Sequence, residues 1–330
     1  MRTARIAAPL PEGRGVSHRK TAALVVALAV SVSYLAGASH TSPAAQAAAS
    51  KALNWLKAQQ RGDGSVGDLG QTAELVLAIA ATGSDPNSWN PSPVSFLQSK
   101  AGAAIAAGPG VTGKVILAVK AARKDPRAFG GRNLVSALKD MSVAGKWGTF
   151  FPEHAFAMMG LAAANEPLGA DAAIHVVAAQ NPDGGWGLTG LPVDPFLSDT
   201  NDTALALQAL GALASPPAVL PGVAILRGHA YLRATQSSDA GWPYQPAGAF
   251  CSGLCPSDPN STAYVVQSLT ATSAEPDTWT QGTRTPVQAL IAMQNSDGSF
   301  KTCDGCSALF ATLQAVPGLF AKPLVSIAAG

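Results

Sequence analysis

Two aspartates and an asparagine stand directly before an apolar run in the segment SDTNDTALALQALGAL, residues 198–213. A buried carboxylic acid at this place could donate a proton to a substrate, with Asp199 and Asp202 as the candidate catalytic groups. The same residue types are also preferred helix N-caps, because their side chains accept hydrogen bonds from the first free backbone N–H groups. The segment DPNSTA, residues 258–263, repeats the pattern. This repetition favours capping over catalysis.

A second set of candidate residues surrounds the start of another apolar segment, HAFAMMGLAAA. Glu153 and His154 form a pair that can exchange protons, although such a pair is more often a cap beside a hydrogen-bonded histidine. Three aromatic residues lie at or near the starts of apolar segments: Phe150, Phe156 and Tyr264. They could line an apolar cavity and stabilise a cation through their ring faces, while ordinary core packing is the alternative. We take all five as candidate ligand-binding residues.

Several other chemistries find no support in the chain. It contains no Gly-rich phosphate loop, no Ser-His-Asp arrangement and no HExxH motif. The 330 residues include 22 Lys and Arg and 20 Asp and Glu, so a basic nucleic-acid-binding surface is not indicated. Hydrophobic residues make up 47% and charged residues 13%, as in a globular protein with a large interior. We expect no metal, no cofactor and no nucleic-acid partner.

The N-terminal residues have the composition of a secretory signal peptide. A basic stretch ending at Lys20 precedes the apolar run TAALVVALAVSVSYLAGA at 21–38, and small-x-small cleavage sites end at Ala47 and Ala49. This order of segments predicts a cleaved leader over 1–49, with an uncleaved membrane anchor as the alternative. The sequence therefore predicts a secreted protein with no membrane span after processing.

The four cysteines come as two close pairs: Cys251 and Cys255, then Cys303 and Cys306. An even number of cysteines in an exported protein indicates disulfides, and we favour two. The C-x3-C and C-x2-C spacing also resembles a four-thiolate zinc site. Three disulfide connectivities are open.

One turn pattern, a glutamine followed by an Asp close to a Gly and usually by an aromatic residue, recurs along the chain, at 59–67, 180–187, 236–244 and 294–300. Gly beside Asp supplies the positive φ and the local hydrogen bonding of a tight turn. Each turn joins an amphipathic helical stretch to one that is apolar on all sides, and six stretches of each kind can be found. This alternation predicts an all-α (α/α)6 toroid, with six inner and six outer helices in a single domain over 50–330.

With these turns and six hairpins, the chain resembles the terpenoid cyclase and protein prenyltransferase toroid superfamily. That superfamily includes squalene and hopene cyclases, prenyltransferase β subunits and the helical domain of cobalamin carriers. Its protonating cyclases carry an Asp-x-Asp-Asp-Thr-Ala motif, which DTNDTA matches at Asp199, Asp202, Thr203 and Ala204. The proton donor of the family falls on Asn201, whose amide has no acidic proton. We therefore assign Asn201 to ligand binding.

The resemblance implies two functions. The first is a secreted, non-catalytic toroid that binds an apolar or corrinoid-like small molecule, an extracellular protein or the cell wall. It is favoured by Asn201 and by a single toroid where triterpene cyclases use two. The second is a small or degenerate class II terpene cyclase-like enzyme for a polyprenyl substrate, with Asp199 and Asp202 as its acids. A deep, closed apolar pocket would favour the enzyme, and a filled centre the binding protein.

Overall fold

The computed structural model describes residues 42–193, 197–213, 219–246, 255–302 and 307–330. These ranges are helical, without a β-strand, and confirm the predicted all-α fold. The α-helices run in chain order as α1 (Pro43–Ala58), α2 (Leu69–Ala81), α3 (Pro93–Ser99), α4 (Ala101–Ala106), α5 (Pro109–Ala121), α6 (Leu134–Asp140), α7 (Phe151–Ala163), α8 (Ala170–Ala178), α9 (Thr200–Gly211), α10 (Val219–Thr235), α11 (Pro259–Ala271), α12 (Pro286–Ala292), α13 (Ala308–Leu319) and α14 (Leu324–Ala329).

Six of these helices form the predicted inner ring: α2, α5, α7, α9, α11 and α13. Each packs against the next, and α13 packs against α2, so that the ring closes. Their residues are buried on nearly every side, as expected of helices that are apolar all round. The outer positions are filled by α1, by α3 with α4, and by α6, α8, α10 and α12. The short helix α14 packs against α2, α5 and α7.

Small residues allow two inner helices, α5 and α7, to touch through their backbones. A Cβ atom on Gly113 would lie 2.3 Å from the Phe156 carbonyl oxygen, and one on Gly160 would lie 2.8 Å from the Gly113 Cα. Any larger residue at either position would have to push the two helices apart. The glycine and alanine content of the inner stretches therefore sets how narrow the ring is.

The aromatic residue of each repeated turn ties an outer helix to the following inner helix. The Trp186 indole Nε1 donates to the Val176 carbonyl oxygen on α8 at 2.7 Å. Its backbone N–H donates to Thr203 Oγ1 on α9 at 3.0 Å. Trp242 donates in the same way to Thr262 on α11, at 3.0 Å. Both tryptophans are fully buried, as the proposed role of a spacer between the rings requires.

The glutamine of the same turn connects one repeat to the next. Gln180 Nε2 donates to the Gly184 carbonyl oxygen in its own turn at 2.8 Å and to that of Ala224 on α10 at 2.9 Å. In the last repeat, Gln294 Nε2 donates to the Ala48 carbonyl oxygen on α1 at 2.8 Å. The repeated motif is therefore the element that links the hairpins and joins the last to the first.

The first helix begins upstream of the predicted domain start. It starts at Pro43, and of the two alanines that suggested cleavage sites Ala49 is buried in the core while Ala47 is exposed. The boundary predicted before residue 50 thus falls within α1. Within the described ranges, no helix combines the length and apolarity needed to cross a bilayer. The predicted leader lies mostly in residues 1–41, outside the described residues, and export stays a prediction.

Candidate functional site

The segment that opens α9 is a helix cap, as its repetition suggested. Asp199 is the N-cap residue, and its Oδ1 accepts from the Asp202 backbone N–H at 2.7 Å. In the next repeat, Asp258 Oδ1 accepts from the Ser261 backbone N–H at 2.8 Å. The two caps differ in one respect, because Ser261 stands where α9 carries a second carboxyl group.

That second carboxyl group makes Asp199 and Asp202 a buried pair. The two side chains hydrogen-bond each other, and they are 1% and 4% exposed. Burial raises the pKa of Asp199 to about 6, although hydrogen bonds from Asp202 and from the Tyr244 hydroxyl favour its charged form. A hydrogen-bonded carboxyl pair of this kind holds a proton at pH values where an exposed aspartate is ionised.

Asn201 lies between these two carboxylates in the sequence and is chemically different. Its side-chain oxygen is buried and accepts no hydrogen bond from the part of the chain that the structure describes. An amide cannot supply the strongly acidic proton that alkene protonation requires. The only acids at the start of α9 are therefore Asp199 and Asp202.

At the centre of the inner ring lies a cavity of about 10 Å³. Its lining combines polar and apolar side chains from the inner helices and α14: Glu74, Leu77, Lys114, Phe156, Tyr264, Gln267, Leu313, Gln314, Pro317 and Leu324. Such a volume is about that of one water molecule. The centre of the ring is thus filled, and it is not the deep, closed apolar pocket that would favour an enzyme.

A chain of polar contacts crosses this centre. The Lys114 ammonium lies 2.5 Å from Glu74 Oε1 and 4.4 Å from the centroid of the Phe156 ring. Gln314 Nε2 donates to the Tyr264 hydroxyl oxygen at 2.9 Å. Glu74 and Gln314 also approach each other, at 3.4 Å between Oε1 and Nε2. Ionic and amide groups from four inner helices therefore meet inside the ring.

Tyr264 connects the central cavity with the carboxyl pair. Burial raises the pKa of its phenol well above the ordinary value, and the charges of Glu74 and Asp202 raise it further. The Tyr264 ring is thus close to both carboxylates, one in the cavity wall and one at the start of α9. Asp199 and Asp202 do not line the cavity, and Tyr264 is the residue that interacts with both places.

Other predicted site residues lie elsewhere and have structural contacts. Glu153 Oε2 accepts from the Phe150 backbone N–H at 2.9 Å, and Phe150 itself is half exposed. His154 Nδ1 accepts from the Trp147 backbone N–H at 3.3 Å, and its Nε2 lies 3.0 Å from the Ala172 carbonyl oxygen. Burial lowers the pKa of His154 to about 4, so the imidazole is neutral. The pair holds the start of α7 in place and does not line the central cavity.

Sequence reasoning missed the polar residues of the cavity: Glu74, Lys114, Gln267 and Gln314. Each lies in an inner stretch that is mostly apolar, such as TAELVLAIAA or GKVILAVKAA. A charged or amide group on a helix that is buried all round needs a partner inside the ring. That argument would have identified these residues before the structure.

One of the cysteines can be located. Cys255 takes part in a disulfide, and Cys251, Cys303 and Cys306 lie outside the described residues. The pairing of the four cysteines stays a prediction. Among the residues that the structure describes, no three His, Cys, Asp or Glu side chains are grouped so that they could hold a metal ion.

The pKa of Asp199 predicts how stability depends on pH. A carboxyl group with a raised pKa contributes stability that is present below about pH 4 and is lost as the pH rises through about 6. Asp199→Asn retains a capping side chain but does not titrate. We expect the free energy of unfolding of the wild type, relative to this variant, to fall by about 2 kcal/mol between pH 4 and pH 7. Urea unfolding across this range measures the difference, and a difference independent of pH would contradict the prediction.

No protein-family model matches the chain, and no curated protein matches it in sequence. Solved structures do match. The type II terpene cyclase MstE from Scytonema superimposes with a TM-score of 0.59 at 13% identity, over 84% of this chain and 98% of that chain. A substituted MstE in complex with geranylgeranyl dihydroxybenzoate, its substrate, gives 0.57 at 13% identity, over 86% and 97%. A protein from Actinoplanes gives 0.56 at 16% identity, over 84% and 99%.

These likenesses show that the chain has an α/α toroid fold like that of the type II terpene cyclase MstE. They also remove one argument drawn from the sequence. The match covers 98% of the MstE chain. One toroid is therefore enough for a type II terpene cyclase. The single toroid therefore does not speak against an enzyme.

Proposed function

We propose that the protein binds a linear isoprenoid in its inner ring and cyclises it by proton transfer from the Asp199–Asp202 pair. The observation that carries this proposal is the pair itself, a hydrogen-bonded set of two buried carboxyl groups at the start of an inner helix. The fold supports it, since MstE shares this fold and has been captured with a geranylgeranyl substrate.

The chemistry assigned to the pair is a Brønsted acid step. The carboxyl proton adds to a terminal alkene carbon, whose π electrons form the new C–H bond and leave a carbocation. A second alkene of the same chain attacks this cation and closes a ring, and the last cation loses a proton. The product is an isomer of the substrate, so no oxidant or reductant is needed. Burial of Asp199 makes this step feasible, because it keeps a proton on the pair near neutral pH.

The remaining lining fits an apolar ligand that becomes positively charged. Phe156 and Tyr264 are the aromatic side chains of the cavity wall, and the Phe156 ring, which already lies against the Lys114 ammonium, is of the kind that stabilises a cation. The positive charge of Lys114 is balanced by Glu74. A ligand of this size needs a pocket of roughly 300 Å³ or more. Binding therefore requires that the side chains lining the cavity move apart.

The test is incubation of the purified protein with squalene, geranylgeraniol and geranylgeranyl diphosphate, followed by mass spectrometry of the hydrocarbons and alcohols formed. We expect a cyclic isomer of at least one substrate. Asp199→Asn and Asp202→Asn should each lower its rate of formation by roughly 100-fold or more, the usual contribution of a general acid.

Asp258→Asn is the matched control, because it changes a partly buried N-cap aspartate with the same capping geometry, at a helix start where serine replaces the second carboxyl group. Its rate should stay within a few-fold of the wild type. A cyclic product that survives both Asp199→Asn and Asp202→Asn would show that the pair is not the acid. No cyclic product from any substrate would reject the enzyme.

A second candidate is non-catalytic binding of an apolar small molecule. Two observations favour it: the central cavity holds only about 10 Å³, and Asn201 occupies the place of the family's proton donor. Under this proposal the same isoprenoids raise the melting temperature of the protein but are recovered unchanged. Ligand-dependent stabilisation without turnover thus separates the two candidates.

A further inference from the structure

A second pocket lies on the other side of α7, between this helix, α8 and the turn at 189–192. Its volume is about 160 Å³, and it shares no residue with the central cavity. Its lining consists of Lys146, Phe151, His154, His175, Ala178, Ala179, Thr189, Gly190 and Pro192. It is larger than the central cavity, and neither Asp199 nor Asp202 lines it. The proposed cyclisation therefore gives this pocket no role.

The walls of this pocket are fixed by hydrogen bonds and close packing. The Phe151 backbone N–H donates to the Leu188 carbonyl oxygen at 2.8 Å, which holds the turn against α7. Gly190 has a φ of 63°, and a Cβ atom there would lie 3.3 Å from the Phe151 ring. His154 is held through both ring nitrogens by backbone groups. The pocket is therefore preformed, as small-molecule sites usually are.

The polar side of the pocket is positively charged. Lys146 is half-buried, and no described carboxylate forms an ion pair with it. His175 uses Nε2 in a 3.0 Å contact with the Ala144 carbonyl oxygen, while no described residue hydrogen-bonds its Nδ1. The charges of both residues lower the pKa of His154. An anion placed here would accept a hydrogen bond from Lys146 Nζ.

The rest of the lining is apolar and limits the size of that anion. Phe151, Ala178, Ala179 and Pro192 offer carbon surface rather than hydrogen-bonding groups. The volume of 160 Å³ is close to that of an engineered cavity of about 150 Å³ that holds benzene. We propose that this pocket binds a small organic carboxylate with an aromatic or branched body, of the size of benzoate.

Sodium benzoate is the probe, and binding is measured by titration calorimetry and ligand-observed NMR on the full chain. We expect a dissociation constant on the order of 1 mM or lower, in keeping with nine non-hydrogen atoms and one charge-assisted contact. Benzamide has the same shape without the charge, and should bind roughly tenfold or more weakly. Inorganic phosphate, which has no apolar body, should not compete with benzoate.

Three variants test the assignment. Lys146→Met should weaken benzoate binding roughly tenfold or more, because it removes the ammonium donor. Ala178→Leu should abolish binding by filling the pocket, and it should fold normally because Ala178 is exposed. Lys139→Met is the matched control, since Lys139 pairs with Glu166 and does not line the pocket, and it should leave the affinity unchanged.

Equal affinity for benzoate and benzamide would overturn the proposal, and so would equal effects of Lys146→Met and Lys139→Met. Absence of benzoate binding to the folded wild type at roughly tenfold above the expected dissociation constant would overturn it as well. None of these outcomes bears on the acid pair, because the two sites share no residue.

Discussion

Replacement of Trp186 by alanine is expected to lower the free energy of unfolding by about 3–5 kcal/mol. The side chain is fully buried, and its indole N–H is bonded to the Val176 carbonyl oxygen, so the variant leaves both a cavity and an unpaired acceptor. The Trp186 backbone N–H also donates to Thr203 Oγ1, so that this residue connects α8 with α9. Urea unfolding of the two proteins at one pH measures the loss.

Two variants separate the sources of this effect. Trp186→Phe keeps most of the apolar volume but removes the indole donor, and should cost about 1–3 kcal/mol. Trp89→Ala is the matched control, because this tryptophan is only partly buried and lies outside the repeated turns. Its cost should be clearly smaller. If Trp186→Ala destabilised the protein no more than Trp89→Ala, the turn motif would not be the connection between the rings.

The fold could be predicted because its determinants are local and repeated. Gln180 and Trp186 form the same contacts in their repeat that Gln236 and Trp242 form in the next, with donors and acceptors a few residues away or in the adjacent hairpin. A motif that recurs along the sequence therefore reports directly on the architecture. The short helix α14 carries no such motif, so its position in the ring could not be predicted.

The candidate site was predictable only in part. The capping role of Asp199 follows from its residue type and position. In the structure, Asp199 is the N-cap residue of α9. Its raised pKa comes from burial in the tertiary structure, and its partner Tyr244, whose hydrogen bond opposes that rise, is distant in the sequence. His154, a residue type suited to proton transfer, has both ring nitrogens in contact with backbone groups, which the sequence did not reveal. The type of a residue suggests its chemical role. The contacts made in the folded protein determine whether its side-chain atoms are available for that role.

The ion pair inside the ring leads to the second large effect. Lys114→Met should lower the free energy of unfolding at pH 7 by about 3 kcal/mol, near the lower end expected for breaking a buried pair. The Lys114 and Glu74 side chains are 17% and 8% exposed, so the ammonium is only partly solvated. Without it, the Glu74 carboxylate keeps one weak contact, with Gln314 at 3.4 Å, while its Oε2 has no partner in the described residues. An uncompensated charge in such surroundings is costly.

A double-mutant cycle tests this explanation. Glu74→Gln added to Lys114→Met removes the stranded charge and should recover about half or more of the lost stability, because the two positions are coupled. Lys139→Met, which breaks a more exposed pair with Glu166, is the matched control and should cost about 1 kcal/mol or less. If Lys114→Met were as mild as this control, or if Glu74→Gln recovered nothing, the pair would not be acting as a buried one. Water would then reach the Lys114 and Glu74 side chains at the centre of the ring. A centre open to water would favour the entry of a ligand.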